Sequence, residues 1–119
     1  MTEQVWYHPS CSKSNRALAE LDAAGGDYQL RDYVDQPPSV AELAQLAGRL
    51  GLPPWEFCRT TEPVAAELGL ADWPRDDEHR DRWFAAMSAN PILIQRPIVV
   101  RGDRAVIARE AGWRAAFDD

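Results

Sequence analysis

A cysteine stands where a strand gives way to a helix, and this junction constrains the fold more than any other stretch. Val5-Trp6-Tyr7 is β-branched or aromatic and suits a strand. His8-Pro9-Ser10 interrupts it, because proline fixes φ and has no N–H. Beyond Ser12, Ala17, Leu18 and Leu21 recur at helical spacing, which predicts a helix over about 12–24 ended by Gly25-Gly26. Cys11 therefore falls at a helix N-terminus, where unpartnered N–H groups favour a thiolate. An oxyanion is welcome at the same place. The plain alternative for Cys11 is a small buried hydrophobe. Its neighbours Ser10, Ser12, Lys13 and Ser14 are polar and build no apolar site.

Tyr28 to Val34 alternates enough for a second strand, stopped by Pro37-Pro38. Ser39 with Glu42 three residues on matches a capping box, opening a helix that carries Val40, Leu43, Leu46, Ala47 and Leu50 on one face and ends at Gly51. Pro53 or Pro54 suits a first helical turn. A short helix is expected through Phe57-Cys58-Arg59, and another over 64–68 before Gly69. Asp76-Asp77-Glu78 opens a further helix to about Ser88, with Trp83, Phe84 and Met87 inward. Ile98-Val99-Val100 reads as a strand, Arg101-Gly102-Asp103 as its turn, 104–108 as a return strand and 109–117 as a closing helix.

Strands joined by a helix must pair in parallel, and strands joined by a tight turn antiparallel. The order βαβ, helical insertion, ββα thus predicts an α/β fold: a thioredoxin-like four-stranded mixed sheet with flanking helices. The 119 residues are expected to form a single domain over 1–119, with the insertion at about 36–90.

The net charge of −6 argues against a nucleic-acid surface, which needs a basic stripe. The apolar runs are too short for a membrane-spanning helix. Met-Thr-Glu-Gln lacks the basic start of a signal peptide, so a cytoplasmic location is expected. The two cysteines then point to redox or catalytic use over a disulfide framework. The two cysteines and two histidines do not have the spacing of a zinc site, and no metal is expected. Of the 13 basic residues, all but Lys13 are arginine, so many arginines must be ordinary surface groups; Arg49, Arg75, Arg80, Arg82 and Arg114 are read that way.

Tyr7-His8-Pro9-Ser10-Cys11-Ser12-Lys13-Ser14, Cys58-Arg59 followed by Glu62-Pro63, and the run from Asn90 through Gln95-Arg96-Pro97 to Val100 together resemble the glutaredoxin-linked arsenate reductase family. The resemblance covers about residues 4–110. It implies a catalytic cysteine at Cys11, oxyanion-binding arginines at Arg59, Arg96 and Arg109, and a cis proline at Pro97. About 5–6% of X-Pro bonds in folded proteins are cis. Two departures are visible: His8 is followed directly by Pro9, and Arg109 by Glu110, whose carboxylate is placed to pair with it.

Arsenate is a tetrahedral oxyanion, and arginine suits it because its charge does not titrate and its donors form a fork. The resemblance implies that the Cys11 thiolate attacks arsenate, and that a small thiol such as glutathione and a glutaredoxin-type partner complete reduction to arsenite, with no bound cofactor. His8 and Ser14 are candidate supports for the thiolate; as a loop histidine and a capping serine they would look the same in sequence. His79, among acidic neighbours, is read as surface. The family also holds redox-responsive regulators that contact transcription machinery, often with a Cys-x-x-Cys switch. Here Ser14 occupies the second cysteine position, which disfavours that alternative. A reductase of other disulfide substrates is a third reading. Cys58 is expected to be a core residue facing away from Arg59, and not a resolving partner.

Overall fold

The computed structural model describes residues 3–8, 12–23, 28–109 and 113. The chain divides into two compact units, one of residues 1–36 with 96–119 and one of Pro37–Gln95.

The first unit holds the sheet. Its elements are β1 (Glu3–Tyr7), α1 (Ser12–Ala23), β2 (Tyr28–Asp32), β3 (Ile98–Arg101) and β4 (Arg104–Ile107). The strand order is β2-β1-β3-β4. β1 runs parallel to β2 and antiparallel to β3, with Val5 opposite Leu30 on one side and Val99 on the other. β3 turns back into β4 through Gly102, whose φ of 63° is open to glycine without a Cβ clash. This is the thioredoxin-like mixed sheet expected from βαβ and ββ. Alternation along β1 sends Val5 and Tyr7 to one face. There Val5 packs with Ala17 and Leu21 of α1, with Val99, Ala108 and Trp113 completing the cluster. Trp6 points the other way, is buried, and lies under the Arg31 guanidinium at 4.7 Å from its ring centroid.

β2 ends at Asp32, two residues before the expected Val34. The Asp32 side chain is the reason: its Oδ1 accepts from the Val34 N–H at 3.1 Å and the Asp35 N–H at 3.3 Å, while its carbonyl accepts from Gln36 at 2.8 Å. An aspartate that satisfies the backbone locally competes with strand pairing. The expected helix over 109–117 and the Gly25-Gly26 stop lie outside the described residues, apart from Arg109 and Trp113.

The second unit carries α2 (Val40–Leu50), α3 (Pro63–Leu68) and α4 (Arg80–Ala89), with one 3-10 turn between α2 and α3 and two between α3 and α4. The capping box on α2 is present, with Ser39 Oγ accepting from the Glu42 N–H and Glu42 Oε1 from the Ser39 N–H, each at 3.1 Å. Gly51 and Gly69 end α2 and α3 at φ 68° and 71°. Asp76 caps the turn into α4 by accepting from the His79 N–H at 3.1 Å. Trp83 is fully buried and meets Trp55 and Trp73 edge to face at 6.1 and 5.5 Å.

The helix expected through Phe57-Cys58-Arg59 does not form. After one 3-10 turn over Pro54–Glu56 the chain becomes extended, and Cys58 bridges Ile94 in antiparallel fashion. The Arg59 N–H donates to the Leu93 carbonyl at 2.6 Å and the Gln95 N–H to the Phe57 carbonyl at 2.9 Å. Pairing with a segment distant in sequence overrides the local helical reading.

Candidate active site

The site residues implied by the resemblance fall in both units. In the first, His8 follows β1 directly and is half-buried. Cys11 and Glu110 lie outside the described residues, as do the side chains of Lys13 and Ser14 in the first turn of α1. The Arg96-Pro97 peptide bond is cis, as expected. Pro97 is buried, and its carbonyl accepts from the Ala108 N–H at 2.8 Å. That bond seats the end of β4 against the start of β3 and brings Arg109 to Arg96. Arg109 Nη1 donates to the Arg96 carbonyl at 2.7 Å.

Arg16, on α1, joins the same group. Its Nη2 donates to the Arg109 carbonyl at 2.8 Å, and its Nε lies 4.0 Å from Glu20 Oε1. Glu20 Oε2 in turn accepts from the Trp113 indole N–H at 2.6 Å. Arg16 therefore ties the helix that begins after Cys11 to the segment carrying Arg109. Sequence reading passed over it, because an arginine on a polar helix face has no distinguishing local signal.

In the second unit, Arg59 is held at two points. Its Nε lies 3.0 Å from Glu62 Oε1, and its Nη1 donates to Gln95 Oε1 at 2.8 Å. Among the described residues, its Nη2 amino group makes no hydrogen bond. Glu62 and Gln95 were legible only as parts of motifs. The spacing from Arg59 to Glu62 is that of a local ion pair, whereas Gln95 is 36 positions away and reaches Arg59 only through the strand pairing.

Cys58 is a free, buried thiol. Burial pushes it up to about 11 from an ordinary 9.0, against the pull of the Arg75 guanidinium. It faces away from Arg59 as expected, but because neighbours on an extended segment alternate sides, not because of helical rotation. Of the arginines read as surface groups, Arg49, Arg75 and Arg82 are exposed, and Arg82 stacks on Trp73 at 3.9 Å. Arg80 pairs with Asp77 at 3.5 Å; Arg114 lies outside the described residues. His79 is partly exposed and its Nδ1 sits 2.5 Å from Asp76 Oδ1, a capping contact. Among the described residues, no helix is long and apolar enough to cross a membrane.

The ArsC family model matches residues 6–117. A Streptomyces viridochromogenes protein, called an uncharacterized protein in the glnII region, is 46% identical over 107 residues, which is 89% of this chain and 90% of that one. The arsenate reductase of Rhizobium meliloti (strain 1021) is 38% identical over 100 residues, 84% of this chain and 69% of that one. Among solved structures, the arsenate reductase from Vibrio cholerae superimposes with a TM-score of 0.84 at 39% identity, covering 92% of this chain and 91% of that one. The matched span takes in Cys11, Arg59, Arg96, Pro97 and Arg109. With its strand order, its cis proline and a family match over nearly its whole length, this chain belongs to the ArsC family and carries the thioredoxin-like fold of the arsenate reductases it resembles.

Proposed function

We propose that this chain is a glutaredoxin-type arsenate reductase, acting in the cytoplasm as a single domain with no bound cofactor or metal. The observation that carries the reading is the 38% identity to an arsenate reductase over 100 residues, together with a family match over residues 6–117 that takes in Cys11 and the three arginines.

The Cys11 thiolate attacks arsenic, forming an S–As bond as hydroxide or water leaves. Arg59, Arg96 and Arg109 hold the oxyanion charge. His8 and Ser14 support the thiolate, and Pro97 shapes the loop beside it. A glutathione-like thiolate then attacks the Cys11 sulfur. The electron pair of the breaking S–As bond stays on arsenic, which leaves as arsenite. Each sulfur is oxidised by one electron and As(V) is reduced by two, so Cys11 ends in a mixed disulfide with the small thiol. A glutaredoxin-type protein takes over that thiol by exchange and frees Cys11.

The test is a coupled assay with arsenate, glutathione, glutaredoxin and glutathione reductase, following oxidation of reduced nicotinamide cofactor. Arsenate-dependent oxidation above the enzyme-free blank is expected. Its absence at millimolar arsenate would remove the reading and favour a binding protein or a reductase of other disulfides.

A further inference from the structure

We infer that Glu62 and Gln95 are positioning residues that grip the Arg59 guanidinium at Nε and Nη1 and leave its Nη2 group to meet the oxyanion. The inference rests on the proposal that Arg59 binds arsenate.

The grip is built from two directions. Gln95 arrives by strand pairing. Cys58 and Ile94 face each other across the antiparallel bridge, so the residues that follow them, Arg59 and Gln95, project from the opposite side together. Two backbone bonds flank the bridge and fix their spacing, Arg59 N–H to the Leu93 carbonyl and Gln95 N–H to the Phe57 carbonyl. Glu62 arrives by a turn: its N–H donates to the Arg59 carbonyl at 3.2 Å, and Pro63 starts α3 immediately after it. The Arg59 and Glu62 side chains are only 19% and 18% exposed, so neither is a freely waving surface group.

A long arginine side chain has much rotamer freedom to lose when it binds an anion. If two acceptors already hold the guanidinium, that freedom is lost on folding and not on binding. A simple electrostatic account predicts the opposite use of Glu62. A carboxylate 3.0 Å from Nε offsets part of the positive charge, so removing it would strengthen anion binding. Glu62→Gln and Glu62→Ala separate the two effects, since both remove the charge but only glutamine keeps an acceptor.

Arsenate affinity of the full chain, measured by isothermal titration calorimetry, is the main readout. Arg59→Ala should abolish or severely weaken binding. Gln95→Ala should weaken it roughly 3–10-fold, the value of one hydrogen bond. Glu62→Ala should bind several-fold more weakly than Glu62→Gln. In an Arg59→Ala background with residual binding, none of these changes should matter further, as required of residues acting through Arg59. Gln95→Met, which keeps volume and removes the acceptor, replaces Gln95→Ala if that variant unfolds. In nitrogen-15 NMR spectra, rotation of the Arg59 guanidinium should be slow in the wild type and faster in the Gln95 variant, with or without arsenate. Fast rotation in the wild type overturns the grip. So does equal affinity of Glu62→Ala, Glu62→Gln and Gln95→Ala to wild type when Arg59→Ala has lost binding, an outcome that leaves Arg59 as an arsenate ligand. Wild-type affinity in Arg59→Ala, or no arsenate binding by the wild type, removes the reading of Arg59 itself and this inference with it.

Discussion

Arg109 donates from Nη1 to the backbone carbonyl of Arg96 at 2.7 Å. The bond ties the side chain of one candidate anion ligand to the main chain of another. It uses part of the Arg109 fork, and a second bond, from Arg16 to the Arg109 carbonyl, fixes the backbone behind it. Arg96 and Arg109 are thus placed by the same few contacts at the β3 and β4 ends, so a change at one is felt at the other.

Replacing Arg109 by lysine tests the fork. Lysine keeps the charge but presents a compact ammonium on a flexible stem, without the planar fork whose separate nitrogens would serve the Arg96 carbonyl and an anion. The Michaelis constant for arsenate should rise by about 10-fold, as expected for one lost charge-assisted bond. The constant for the thiol should change little. Full activity in the lysine variant would show that charge alone suffices there.

Cys11→Ser should abolish arsenate reduction while leaving the thermal unfolding temperature nearly unchanged. A hydroxyl at neutral pH is a far weaker nucleophile than a thiolate. Turnover near the wild-type level in the coupled assay would remove the proposed mechanism.

Most of the fold was legible, for local reasons. The capping box at Ser39 and Glu42, the glycine stops at Gly51 and Gly69, and the β-branched run Ile98-Val99-Val100 all act within a few residues, and the structure contains each of them. Two readings failed where a competing bond was invisible locally. Asp32 ended β2 early by capping its own turn, and Phe57-Cys58-Arg59 became extended because Leu93 and Gln95 offered backbone partners. The candidate site divides the same way. Family motifs marked the arginines, but the residues that hold them did not stand out, since Arg16, Glu62 and Gln95 acquire their roles only through contacts the fold creates.

The ends of α2 allow a stability test far from any candidate ligand. Ser39→Ala removes one half of the capping box and should cost about 1 kcal/mol. Gly51→Ala meets no neighbour within 4 Å, so its cost comes from the backbone at φ 68° alone and should also be about 1 kcal/mol. The two sites lie at opposite ends of an 11-residue helix, so the double variant should lose the sum. Urea unfolding measures all three. A double variant no less stable than either single one would mean that α2 frays before the unit unfolds.

Cys58 gives the last test, which joins pH to both stability and redox role. Burial favours its neutral thiol, placing its titration at about 11 in the folded chain against 9.0 ordinarily. Because the folded pKa is raised, the folded state holds a proton that the unfolded chain releases sooner. The stability this contributes is fully present below pH 9 and is lost as pH rises through about 11. At ~1.4 kcal/mol per unit, the loss should amount to about 2–3 kcal/mol across that window. Other groups titrate there too, so the quantity to measure is the difference in urea stability between wild type and Cys58→Ala from pH 8 to pH 11, which should shrink in favour of alanine as pH rises. At pH 7.5 the thiolate fraction should be on the order of 10⁻³ or less, so iodoacetamide should spare Cys58 in the folded chain and label it in urea. Cys58→Ala should also keep its turnover with an external thiol. Rapid labelling of folded Cys58 at neutral pH, or a stoichiometric Cys11–Cys58 disulfide after mild peroxide, would make it a resolving cysteine and replace the glutaredoxin partner with a thioredoxin-type one.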